Sequence, residues 1–166
     1  MARIVLIGPP AAGKTKLGRV LAWQLGVKFI DTDRKITAKH GPIPDIFAQL
    51  GEAQFRAWER EEVVDALKHD AVVSLGGGAI VNEDTQRDLE QERVLLLTTT
   101  PEAVASRLGG DRPLSSDLDR WVQLVTERMP IYQRLADYTI DTSAKPAVKI
   151  IAEASAWAEG RLEEQA

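Results

Sequence analysis

Eight consecutive residues near the start of the chain, Gly8-Pro9-Pro10-Ala11-Ala12-Gly13-Lys14-Thr15, join a flexible backbone to one cation and one hydroxyl. They satisfy the G-x-x-x-x-G-K-[ST] pattern of a phosphate-binding loop. The context agrees, because an apolar run precedes them and an amphipathic stretch follows. The chemistry this predicts is anion capture. Successive backbone N–H groups and a helix N-terminus converge on one concavity and attract phosphate oxygens. Gly13 lets the main chain approach the anion, Lys14 reaches the β- and γ-phosphates, and the Thr15 hydroxyl helps complete a Mg2+ shell. The loop and the adjoining Lys16 are the expected cradle for a nucleoside triphosphate.

The acceptor must be chosen by other residues, since a phosphate-binding loop serves kinases, switches and motors alike. Asp31 and Asp33, in FIDTDR, stand at the end of an apolar run, the edge where open α/β sheets bind ligands. If the strand continues through them, both carboxylates point one way. Asp31 then orients hydrated Mg2+ and Asp33 takes a proton from an attacking hydroxyl. The same residue types equally suit a helix N-cap with a solvated neighbour. Arg56 and Glu59 lie three apart on a helical stretch. They suit a surface ion pair worth about 0.3–0.5 kcal/mol, or Arg56 offers a bidentate fork to a carboxylate. Gly76, Gly77 and Gly78 close a strand in SLGGGAI, where backbone can approach a ligand or merely turn.

The elements that must position these residues follow from apolar spacing. Five short apolar runs predict strands at Arg3–Ile7, Val27–Ile30, Ala71–Leu75, Arg93–Leu97 and Tyr138–Ile140. Helical spacing marks Thr15–Leu25, Ile43–Leu50, Ala53–Lys68, Asn82–Glu90, Pro101–Arg107, Arg120–Arg134 and Ala144–Glu164. The alternation, with continuous apolar strands, predicts an α/β fold with a parallel sheet covered on both faces. Leu108–Leu118 and Lys39–Pro44 read as loops rich in turn residues. Trp23, Trp58, Trp121 and Trp157 fall on the predicted helices and read as packing residues, while His40 and His69 read as exposed.

Composition narrows the classes. The 166 residues suit one domain, 44% are apolar and 28% charged, and the formal charge is −4. An acidic balance argues against nucleic acid as a partner. Without cysteine there are no disulfides or thiolate metal sites. Met1 and Ala2 lead straight into a strand, and no apolar run nears the ~18 residues of a membrane span. A cytoplasmic location with no membrane partner is the expectation.

The motifs GPPAAGKT, FIDTD, GPIPDIFAQLGEAQFRAWERE, SLGGGAI, DRPL and ERMPIYQRLADYTIDTS, in that order, resemble the shikimate kinase family over nearly the whole length. These enzymes are P-loop kinases related to the nucleoside monophosphate kinases. The resemblance implies a single domain over residues 1–166, a five-stranded parallel sheet in 2-3-1-4-5 order and a lid at about 108–118. It implies a monomer that transfers the γ-phosphate of ATP, with Mg2+, to the 3-hydroxyl of shikimate. Asp33 would hold the acceptor hydroxyls and act as general base, and Asp31 would order the magnesium shell. Arg56 and Arg128 would clamp the substrate carboxylate, Gly77 and Gly78 would present N–H groups, and Glu59 would brace the pocket. Arg112 would close on the transferred phosphoryl group, and Arg107 would lie against adenine opposite the backbone of residues 141–145. After DRPL the chain continues SSDL, where the family often has a second leucine and a glycine. Another small-molecule kinase, such as a gluconate kinase, or a nucleotide-binding module without catalysis, is the alternative.

Overall fold

A computed structural model describes residues 1–107 and 115–165. Its centre is a five-stranded parallel sheet in the order β2-β3-β1-β4-β5, formed by β1 (Ile4–Ile7), β2 (Lys28–Asp31), β3 (Ala71–Ser74), β4 (Val94–Thr98) and β5 (Tyr138–Asp141). The expected fold class and strand order are both found. β1 and β3 are buried at every residue and β4 at all but its last, while the edge strands β2 and β5 are only partly buried. That is why the central runs read as unbroken apolar segments.

The two faces carry separate cores. Val5, Ile7, Val73 and Leu96 pack with Val63 of α4 (Glu52–Ala66) and with Tyr132 and Leu135 of α7 (Ser115–Leu135). Ile4, Leu6, Val72 and Leu95 pack on the other face. There they meet Leu17 and Leu21 of α1 (Lys14–Leu25), and Ala154 and Trp157 of α8 (Ala147–Ala158). A third, smaller cluster joins Ile36 of α2 (Thr32–His40), Ile46 of α3 (Ile43–Leu50) and Phe55 of α4. It fastens the α2–α4 group beside the sheet edge. Two short helices, α5 (Glu83–Leu89) and α6 (Pro101–Arg107), flank β4 in sequence.

Several sequence boundaries move. Apolar spacing does not mark α2, whose nine residues bury only Thr32 and Ile36. Of the two arrangements left open for Asp31 and Asp33, the helix N-cap is the one found: β2 stops at Asp31, whose carboxylate accepts from the Arg34 N–H at 3.2 Å and starts the helix. Asp33 therefore stands in the first turn of α2. α7 begins at Ser115, so residues 115–118 of the expected loop are helical; residues 108–114, with Arg112, lie outside the described part. α8 is shorter than its periodicity suggests, starting after Pro146 and ending at Ala158.

Candidate active site

Elementary geometry puts the phosphate-binding loop at the C-terminal end of β1, with Gly13 capping α1. Each carbonyl from Gly8 to Ala12 accepts a hydrogen bond from a side chain. The Lys14 ammonium donates to Gly8 at 2.7 Å and Pro9 at 3.0 Å. The Trp121 indole donates to Pro10 at 2.9 Å, the Arg107 guanidinium to Ala11, and the Thr142 hydroxyl to Ala12 at 2.9 Å. The loop is thus held by its acceptor atoms. Ala11 has φ 68°, a left-handed conformation that costs a residue with a Cβ about 1–2 kcal/mol. Burial of the Lys14 ammonium pushes its pKa down to about 8, against the pull of Asp33 and Asp31.

Beside the loop, the Thr15 hydroxyl donates to the second oxygen of Asp31 at 3.1 Å. Asp31 therefore does both things its residue type allowed: one oxygen caps α2 and the other faces Thr15. One hydroxyl and one carboxylate suit Mg2+, which keeps much of its water and takes its remaining ligands from substrate phosphates. Among the described residues no cluster of three or more His, Asp or Glu could cage a metal by itself.

Beside the loop, residues of three helices meet at the glycine run. Thr32 accepts from the Gly76 N–H at 3.3 Å, pinning the start of α2 to the end of β3. This sets the Asp33 carboxylate against Gly76, so closely that an added Cβ there would stand 2.5 Å from Asp33 Oδ1. Among the described residues, Asp33 Oδ1 is buried without a hydrogen-bond partner. Burial, and then the neighbouring Asp31 charge, raise the Asp33 pKa, while Lys14 and Arg56 oppose them. At Gly78 two cations converge: an added Cβ would lie 2.6 Å from Arg56 Nη2 and 3.0 Å from Arg128 Nη2. Glu59, 3% exposed, accepts from Arg56 at 2.7 Å, so the ion pair read from spacing exists inside the site. Burial raises the Glu59 pKa against that hydrogen bond. Tyr132, fully buried on α7 one turn from Arg128, donates to the Gly77 carbonyl at 2.5 Å.

Two cavities share the loop as their common wall. One, about 410 Å³, is lined by Lys14, Thr15, Asp31, Asp33, Gly76 and Gly77. The other, about 570 Å³, lies on the far side of the loop, between Lys16 and Leu17 of α1, Arg107, Thr142 and Ile150 of α8. Arg107 lines this second cavity, and its guanidinium binds the Ala11 and Thr142 carbonyls.

A family model described as shikimate kinase matches residues 10–159. The chain belongs to the shikimate kinase family. Members of this family are phosphotransferases acting on a hydroxyl of shikimate, with ATP as co-substrate. A shikimate kinase of Thermobifida fusca is 50% identical over 145 residues, covering 84% of each chain. One from Mycobacterium avium is 42% identical over 150 residues, covering 86% of this chain and 85% of its own. The solved shikimate kinase of Acinetobacter baumannii in complex with shikimate superposes with a TM-score of 0.85 at 34% identity. That match covers 95% of this chain and 93% of the other.

Against the shikimate kinase expectations, Lys14, Thr15, Asp31, Asp33, Arg56, Glu59, Gly77, Gly78 and Arg128 are brought to one region, and Lys16 and Arg107 to the adjoining cavity. Sequence reading missed Thr32, Tyr132, Thr142 and Trp121, which act on backbone carbonyls or amides and carry no motif of their own. The tryptophans also divide. Trp157 is a packing residue, but Trp23 is 83% exposed, and Trp58 stacks on the exposed His40 with ring centroids 3.5 Å apart.

Proposed function

We propose that this chain transfers the γ-phosphoryl group of ATP to the 3-hydroxyl of shikimate, as a single-domain monomer acting in the cytoplasm, where ATP is supplied. The observation that carries the reading is the meeting of Arg56 and Arg128 at Gly78, beside a buried and unpartnered oxygen of Asp33. Two guanidinium groups suit a carboxylate, and an aspartate with a raised pKa suits an alcohol proton. In this scheme Arg56 and Arg128 hold the acid and Glu59 fixes the Arg56 fork. Gly77 and Gly78 give N–H groups to the ring, and Asp33 orients the 3-hydroxyl and takes its proton.

The loop from Gly8 to Thr15 grips the triphosphate, and Arg107 and Lys16 flank the base and phosphates. Phosphoryl transfer needs positioning and charge neutralisation more than covalent help. Lys14 and Arg112 meet the charge spread over the equatorial oxygens, the DRPL motif being the support for Arg112. Thr15 and Asp31 would hold Mg2+, which neutralises phosphate charge when bound.

The test is ADP release measured with shikimate, gluconate and nucleoside monophosphates in parallel. Turnover with shikimate alone is expected. Preference for gluconate, or ATP binding without acceptor-stimulated turnover, would overturn the reading.

A further inference from the structure

Among the described residues Ala11 is the one non-glycine with a left-handed backbone, and it sits in the middle of the donor loop. The φ of a residue relates it to the peptide plane before it, and ψ to the plane after it. At Ala11 both planes are clamped by side chains distant in sequence. The Trp121 indole N–H fixes the Pro10 carbonyl, and with it the plane leading into Ala11. The Arg107 guanidinium fixes the Ala11 carbonyl, and with it the plane leading out. All described peptides are trans, so holding a carbonyl one way sends the following N–H the other way. The two clamps come from the last residue of α6 and the second turn of α7. Trp121, Arg128 and Tyr132 recur at helical spacing along α7, seven and four residues apart, and Tyr132 performs the matching task on the Gly77 carbonyl.

We propose that Trp121, together with Arg107, is a positioning residue for the ATP site: it locks Ala11 in the left-handed conformation that turns the loop's N–H groups toward phosphate. A left-handed residue inside a run of N–H donors is what makes such a loop concave to an anion. Trp121 therefore sets donor affinity by acting on the loop backbone, and its indole hydrogen bond, more than its bulk, is the part that matters. The inference rests on the reading of Gly8–Thr15 as the ATP loop.

Trp121→Phe removes the N–H donor and keeps an aromatic ring. It should raise KM for ATP and Kd for ADP by about 3- to 10-fold. KM for shikimate should stay within about twofold, although Arg128 lies on the same helix; loosening of α7 as a whole would raise both. On an Ala11→Gly background the clamp has less to hold, because glycine adopts this φ without strain, and the same substitution should cost under about twofold. Unchanged ADP affinity, an equal loss on both backgrounds, or a parallel rise in both KM values would overturn the proposal. A second measurement needs no folded variant of Trp121. In the wild-type protein its indole proton should exchange with solvent more slowly than that of the exposed Trp23, and more slowly still with ADP; equal exchange rates would refute the hydrogen bond. Wild-type protein that does not bind ADP overturns the ATP-loop reading and this inference together. Wild type and Trp121→Phe binding ADP equally well overturns the inference alone.

Discussion

The donor and acceptor sides of the site are made in opposite ways. The donor side is eight consecutive residues of backbone whose carbonyls from Gly8 to Ala12 are each occupied by a side-chain donor. The acceptor side is a set of charged side chains, from α2, α4 and α7, that meet over Gly76 and Gly78. In the proposed reading the donor loop meets its anion with fixed dipoles, whereas the acceptor side must hold Asp33, Glu59, Arg56 and Arg128 close together. Burial raises the pKa of both Asp33 and Glu59, against the pull of the neighbouring cations. Rigid backbone suits a triphosphate common to many enzymes, and convergent side chains suit one particular acid.

Substitutions can break that comparison, beginning with the largest effect. Lys14→Ala should lower kcat by at least about a thousandfold, with the folded circular-dichroism spectrum retained. Near-normal turnover would remove Lys14 from the phosphate role. Asp33→Asn should cost about 10²- to 10⁴-fold in kcat while leaving ADP affinity close to wild type in calorimetry. If ADP affinity collapsed instead, Asp33 would belong to the donor side and the division would fail. Arg56→Ala should weaken shikimate binding by about 2–5 kcal/mol, since it strips a buried partner from both the acid and Glu59. Acceptor titrations that match the wild type would return Arg56 to a purely structural ion pair.

The smallest effect sharpens the electrostatics. The Lys14 pKa lies at about 8 in the ligand-free fold, below the 10.5 of an ordinary lysine. Between those values the unfolded chain carries more protons than the folded one, so the ligand-free protein gains stability from this group as pH rises through that window. In the proposed reading ATP would supply an anionic partner and draw the pKa back up. Nucleotide binding at pH 8.5 should therefore take up a fraction of a proton, and at pH 7 almost none. Calorimetry in buffers of different ionisation enthalpy measures this directly. No uptake at either pH would mean that Lys14 stays fully charged without nucleotide.

Much of the donor side was legible because its chemistry is local. Strand, loop and helix start are contiguous, and a turn of fixed length places Lys14 and Thr15 whatever the rest of the chain does. The carboxylates were legible by type, but their residue types fitted a continued strand and a helix N-cap equally; one hydrogen bond from the Arg34 N–H to Asp31 decided for the cap and set Asp33 in the first turn of a helix. Arg56 and Glu59 could be read as an ion pair or as part of a site, and packing over Gly78 made them both.

The residues alone determined an α/β sheet with a phosphate loop at its first strand's exit, because apolar periodicity and a short backbone motif depend on neighbours in sequence. Only the tertiary structure decided which distant side chains hold that loop and which charges face each other. Thr32, Trp121, Tyr132 and Thr142 work through hydrogen bonds to main-chain carbonyls as far as 42, 111, 55 and 130 positions away. Such partners leave no periodic trace, since any residue can supply the carbonyl they bind.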